Sequence, residues 1–278
     1  MRRMAGLVSL IAVLSTTGAT ALSDPYSSYE WRFGAEFGAV QVLSHTIQFG
    51  RAGTRFDYVQ DGGQNILFPF SRISAELHLK PRHTAVLLYQ PLDVVTRATL
   101  RQPLVIDEDT FPAGAAMNLR YGFDFYRFSY LYDFLPASER ELSAGISLQL
   151  RNASIAFTAV DGSRQRVYND LGPVPALKLR LRVPLSERTW FGTEIDGIYA
   201  QGRVVTGSNN VESSFRGALL DASLRYGMQL GEGMGAFFNV RYLGGGASGG
   251  QVEPENPGDG YVDNWLGTLA LTVGLQLR

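Results

Sequence analysis

The sequence predicts an all-β chain closed into a single antiparallel barrel that spans a membrane. Three observations predict it. Segments with strict period-2 alternation recur about ten times along the chain. In most of them one face is aliphatic or aromatic and the other is polar or small, so one side suits lipid and the other does not. Beyond the extreme N-terminus, no apolar run reaches the ~18 residues that a membrane helix needs.

The first residues fix the route. Arg2 and Arg3 form a positive n-region, Ala5 to Leu14 is a short apolar run, and Ala19-Thr20-Ala21 is an A-x-A cleavage site. Residues 1–21 therefore read as a secretory signal peptide and residues 22–278 as the barrel domain. Removing the leader leaves 278 − 21 = 257 residues, enough for one large all-β domain. It also takes away Arg2 and Arg3, which moves the formal charge from −1 to −3. That balance excludes nucleic acid as an expected partner. The absence of cysteine excludes a lipoprotein anchor and a disulfide framework.

The strands follow in order. Tyr29 to Val40 carries Trp31, Phe33, Ala35 and Phe37 on one face, with Arg32, Gly34, Glu36 and Gly38 on the other. Residues 41–70 contain D-G-G and read as a long surface loop or hairpin. Ser71 to Lys80 is the second strand, with Glu76 and His78 inward, and Pro81-Arg82-His83 is a tight turn. Thr84 to Leu100 is the third, interrupted at Pro91 by a bulge or rim. The fourth ends in a stripe of Tyr126, Phe128, Tyr130, Tyr132 and Phe134, with Arg127, Ser129 and Asp133 opposite. Leu142 to Leu150 marks the fifth. Its phase slips near Asn152, where Ile155 and Phe157 become the apolar set, so a bulge is expected. A-L-K-L-R-L-R-V at 176–183 is the sixth, and Trp190 opens the seventh. Ala218 to Leu230 is the eighth, and Phe238, Val240 and Tyr242 mark the ninth.

The tenth, Trp265 to Arg278, alternates to the last residues, with Leu269, Leu271, Val273, Leu275 and Leu277 on one parity. Its Val273-Gly274-Leu275-Gln276-Leu277 resembles the closing strand of bacterial outer-membrane β-barrels. There V-G-aromatic-x-Phe commonly ends the chain and serves as the assembly signal. This chain departs in having Leu for the aromatics and one extra residue, Arg278. The resemblance implies a Gram-negative outer-membrane location and delivery by the barrel assembly machinery. It also implies outer-membrane lipid around the wall.

Connection lengths carry topology. Short ones near 81–83, 136–140, 186–188 and 231–234 alternate with long ones near 41–70, 101–116, 161–173, 201–213 and 244–263. Barrels of this kind have short periplasmic turns, long outer loops and an even strand number, so both termini are expected in the periplasm. The count is ten. Eight follows if the third strand is mis-split, and twelve if residues 41–70 re-enter the membrane. A soluble β-sandwich is the main rival, which the leader and the aromatic stripe disfavour.

The interior carries the candidate site. Lys178, Arg180 and Arg182 share one face of the sixth strand and cannot face hydrocarbon, so they point inward. A tight hairpin over Ser186-Glu187-Arg188 sets Arg180 opposite Glu194 and Lys178 opposite Asp196. Asp221 and Arg225 extend the network. No catalytic, cofactor or metal residues are assigned. Ser44-His45 near Asp57 is only a weak catalytic arrangement, and His78 and His83 read as structural. Asp107-Glu108-Asp109 and the E-P-E-N-P-G-D-G-Y-V-D loop at 253–263 read as solvated acidic loops, the latter without EF-hand order. Arg51, Arg55, Arg101, Arg164, Arg166 and Arg203, placed outside, suit lipopolysaccharide phosphates. Gly244-Gly245-Gly246 reads as a flexible loop. The expected protein is a monomeric, non-enzymatic envelope component with an ion-paired, largely occluded lumen. A narrow porin-like channel is the alternative, and a lipid-modifying or proteolytic enzyme a distant one.

Overall fold

Every alternating segment forms a strand, and most strands outrun their apolar stripes. The computed structural model describes residues 29–79, 81–206, 211–250 and 259–278, so the signal peptide, residues 1–21, lies outside the described residues. In chain order the strands are β1 (Tyr29–Phe49), β2 (Phe56–Asp57), β3 (Leu67–Leu79), β4 (His83–Gln90), β5 (Asp93–Thr99), β6 (Leu104–Ile106), β7 (Asp109–Phe111), β8 (Ala116–Asp133), β9 (Glu141–Ala159), β10 (Gln165–Pro184), β11 (Thr189–Thr206), β12 (Val211–Gly231), β13 (Met234–Gly250) and β14 (Tyr261–Leu277). The wall is a closed antiparallel barrel of ten strands. β14 pairs back onto β1 and leaves no open edge there. β4 and β5 share one wall position along β8, divided at Pro91-Leu92 where a proline cannot donate to the ladder. β2 pairs only with β1, and β6–β7 form a separate hairpin.

The wall is inside-out relative to a soluble protein. On β10, Leu177 is 70% exposed while the adjacent Lys178 is 2% exposed. Phe37, Leu87, Phe128, Ile146 and Val273 are also exposed on the outer face. Only lipid makes that arrangement favourable. The short turns near 81–82, 134–140, 185–188 and 232–233 mark the periplasmic end.

Three features differ from the sequence reading. First, stretches read as loops continue as strand. β1 runs to Phe49, β10 starts at Gln165 and β13 includes Gly244-Gly245-Gly246. These residues lack alternation because they stand above the membrane, yet both backbone edges of the glycine run are paired, to β12 and to β14. Only the connections at 50–66 and 100–115 are long among the described ones. Second, β9 pairs with β8 and β10 without a register shift, so there is no bulge at Asn152. Ile155 and Phe157 keep the inward parity because the lumen itself turns apolar at that height. The register shift of β1 falls between Val42 and Ser44. Third, the β10–β11 ladder stops at Leu177–Gly197, although both strands continue upward. In that ladder the odd-numbered residues of β10 make the hydrogen bonds to β11, as Leu185 does in donating its N–H to the Thr189 carbonyl, and the next two upward are Pro175 and Pro173. Neither has an N–H to give. The β9–β10 ladder continues past both prolines.

Candidate functional site

Charge fills the middle of the lumen. The hairpin between β10 and β11 sets Arg180 opposite Glu194 and Lys178 opposite Asp196. The Lys178 ammonium lies 2.8 Å from Asp196 and 3.4 Å from Glu194. Arg180 turns its fork across the lumen, where Nη1 and Nη2 donate to Glu76 of β3 at 3.0 and 2.8 Å. Its Nε stays 3.0 Å from Glu194. Asp221 of β12 collects three guanidinium groups: Arg127 at 2.8 Å, Arg72 at 3.4 Å, and Arg241. Asp196 and Asp221 are cross-strand partners, a like-charge pair that would repel. Arg127 bridges them, 2.9 Å from one and 2.8 Å from the other. Arg225 spans Glu194 at 3.1 Å and Glu36 at 3.0 Å. Glu36 also accepts from Asn239 at 2.7 Å and Thr272 at 3.1 Å.

The balance decides what this layer does. Arg72, Arg127, Lys178, Arg180, Arg225 and Arg241 face Glu36, Glu76, Glu141, Glu194, Asp196 and Asp221. Each has an opposite charge within 4.0 Å. Taking this many ions out of water is costly unless all are paired, and here all are. With formal charge zero and ion pairs crossing from wall to wall, the layer is a strut network filling the bore.

Arg182 does not join it. The guanidinium lies over the Trp190 ring at 4.0 Å, toward the periplasmic mouth, with no carboxylate within ion-pair distance among the described residues. It sits one inward step below Arg180, past the last interior acids of β11. The residues missing from the sequence reading of the site are Glu36, Arg72, Glu76, Arg127, Glu141 and Arg241. Alternation had put Glu36, Glu76 and Arg127 on the polar face; what it lacked was the partner across the bore.

Above the ionic layer the lumen is mostly apolar. Val40, Val42, Phe68, Phe70, Leu119, Ile155 and Phe157 converge there with residues of the outer loops. Leu104, Ile106 and Phe111 of the β6–β7 hairpin are 1–2% exposed in this core. The hairpin is tied down by Asp107, the lone non-glycine residue with positive φ among the described residues, at +49°. Its carboxylate accepts from Tyr168 and from Arg166 at 3.3 Å. Arg164 and Arg166 reach Asp109 at 3.8 and 3.7 Å. The Asp107-Glu108-Asp109 run thus lends two of its acids to a latch between hairpin and wall. Another loop tie is Asp259, which accepts from the N–H groups of Tyr261 and Arg51 at 3.0 Å each. Those donors hold its carboxyl below the ordinary range. Residues 253–258 of that loop lie outside the described residues.

The weak catalytic arrangement comes apart. His45 is 1% exposed, bonded to Gln64 at 2.7 Å and stacked on Tyr58. The register shift between Val42 and Ser44 leaves Ser44 exposed on the outer face while His45 points inward. His78 links Thr84 at 3.1 Å to Glu76 at 3.0 Å, and Glu76 is committed to Arg180. That chain holds the carboxylate in place. Among the described residues no group of three metal-ligating side chains converges.

On β14, Val273, Leu275 and Leu277 face outward, and Gly274 faces inward beneath Phe237, where a Cβ would collide with the ring. An apolar outer belt on a closed ten-stranded wall, charge sealed within, and short turns at one end leave one environment. The chain is an outer-membrane β-barrel. No protein-family model matches it, and no curated protein matches it by sequence. Solved structures similar to the barrel include the outer-membrane protease OmpT of Escherichia coli, at 10% identity over 89% of this chain and 96% of that one, with a TM-score of 0.48. Another is the transport unit of the autotransporter AIDA-I of Escherichia coli, at 7% identity over 97% and 96%, TM-score 0.40. A third is the toluene transporter TodX of Pseudomonas putida, at 8% identity over 89% of each, TM-score 0.33. Likenesses this distant say nothing of the barrel's activity.

Proposed function

We propose that the barrel is a closed, non-enzymatic envelope component that acts through its outer face rather than through its bore. The observation that carries this is the double filling of the lumen. A balanced ionic layer crosses the middle, and an apolar core containing the β6–β7 hairpin lies above it. An ion crossing the barrel has to break cross-lumen pairs and then enter a hydrocarbon-like core, and both steps are costly.

The outer face suits anionic lipid heads. Arg216 lies over Trp265 at 5.3 Å on the outside of the wall, and Arg55 and Arg203 are exposed. Guanidinium next to an interfacial aromatic matches the phosphates of lipopolysaccharide. Arg101, Arg164 and Arg166 are less suited, since Asp61, Asp109 and Asp107 occupy them. The Val273, Gly274, Leu275 and Leu277 segment is the part the assembly machinery reads. The barrel works as a monomer, and residues 1–21 are removed on export.

Planar-bilayer recording of purified protein tests this. The expected trace is flat, with at most brief events. A sustained open channel establishes the porin-like alternative instead.

A further inference from the structure

Below the ionic layer the lumen opens into a vestibule of about 520 Å³ at the periplasmic mouth, lined by the turns at 81–82, 134–140 and 185–188. That volume lies within the range of small-molecule sites. Its charges are unlike those above. Arg32, Arg182 and Arg278 all line it, and two of them share one carboxylate: Glu30 is 2.8 Å from Arg32 and 3.9 Å from Arg278. Arg182 has no carboxylate within 4 Å among the described residues. Glu141 lines the same cavity but is engaged by Arg180 and Ser143. Glu30 is the one acid that pairs with any of these three arginines among the described residues. The rest of the rim adds Arg82, Arg140 and Arg188 with Asp133, Glu139 and Glu187, so the whole lining holds six arginines against five acids, Glu141 included.

Arg182 is also held in place. Its guanidinium lies on one face of Trp190 at 4.0 Å. The indole fits over Gly227 and against Gly192, and a Cβ at Gly227 would sit inside the ring. An arginine stacked on an aromatic keeps its donor edge free and loses little freedom on binding. In the ionic layer every arginine is consumed by a carboxylate; at this one it is presented to the cavity.

We propose that the vestibule is a binding site for a small multivalent oxyanion, a phosphate- or carboxylate-bearing solute entering from the periplasm, with Arg182 as its principal contact and Arg32 and Arg278 beside it. The site does not depend on how the outer face works, and it needs no passage through the bore.

The test uses the full-length barrel in an uncharged detergent, titrated with pyrophosphate or citrate and read by tryptophan fluorescence and by calorimetry. Sodium chloride at matched ionic strength is the reference. Binding brings negative charge to the guanidinium stacked on the indole, so the expected signal is a saturable fluorescence change that chloride does not give. Trp190→Phe should lose the optical change and keep the heat. Arg182→Gln should weaken binding about tenfold or more, as expected for losing a charged hydrogen-bond partner. Arg182→Lys should fall between, which covers a failure of the glutamine variant to fold. Arg164→Gln, on the outer loops, should titrate like the parent. A response equal to that of chloride overturns the proposal. So does unchanged binding in folded Arg182→Gln, or an equal loss in Arg164→Gln.

Discussion

Asp221 shows at the scale of one residue how the interior holds together. It is 2% exposed and accepts from arginines on three other strands, Arg72 on β3, Arg127 on β8 and Arg241 on β13. Alone, such a carboxylate could not be buried as an ion; together, the four groups cross-link the bore. Asp221→Asn keeps the shape and removes the charge, leaving three guanidinium groups short of a partner. The expected cost is about 3–5 kcal/mol, seen as a lower urea midpoint for the barrel refolded in lipid vesicles. A loss below 1 kcal/mol would mean that the layer is hydrated and behaves like a surface network.

At the scale of the strand, outward position sets the tolerance for charge. Phe128 on β8 is flanked by Leu87 and Leu148, so its surroundings are wholly apolar. Tyr130, one outward step lower, donates to or accepts from His83 at 2.5 Å, beside the turn. Phe128→Arg should therefore cost about 2–4 kcal/mol of folding free energy, and Tyr130→Arg less. Equal penalties would show that the two side chains sit at the same depth. The β10–β11 seam gives a second element-scale prediction. Pro173 and Pro175 end that ladder by supplying no donors. Changing both to Val restores two N–H groups in a strand already shaped for pairing. Amide exchange around Tyr199 to Gln201 of β11 should then slow. Unaltered exchange would place the cause of the divergence in the strand paths instead of in the missing donors.

For the whole molecule, the two fillings act in series. Replacing residues 101–114 by a short turn removes the β6–β7 hairpin and opens the top of the lumen. The ionic layer below is untouched, so bilayer recordings of this variant should remain flat while its thermal stability drops. Steady current through it would locate the seal in the hairpin alone.

Much of this was legible along the chain. Alternation alone determined the membrane-spanning part of the strands, the outward faces and the inward parity of Lys178, Arg180, Glu194 and Asp196, because lipid and lumen impose opposite demands on successive residues. The short turn at Ser186-Glu187-Arg188 determined the β10–β11 register, since a hairpin couples only near neighbours. Closure of the barrel decided the rest. It brought Glu76 to Arg180 across 104 positions of sequence and Glu36 to Arg225 across 189. It drew the β6–β7 hairpin inward, so that Ile155 and Phe157 face an apolar core and no bulge is needed. It also left Arg182 below the acids, stacked on Trp190. Local sequence encodes which way a side chain points; what it meets there depends on strands that are distant in the chain and adjacent only once the sheet has closed.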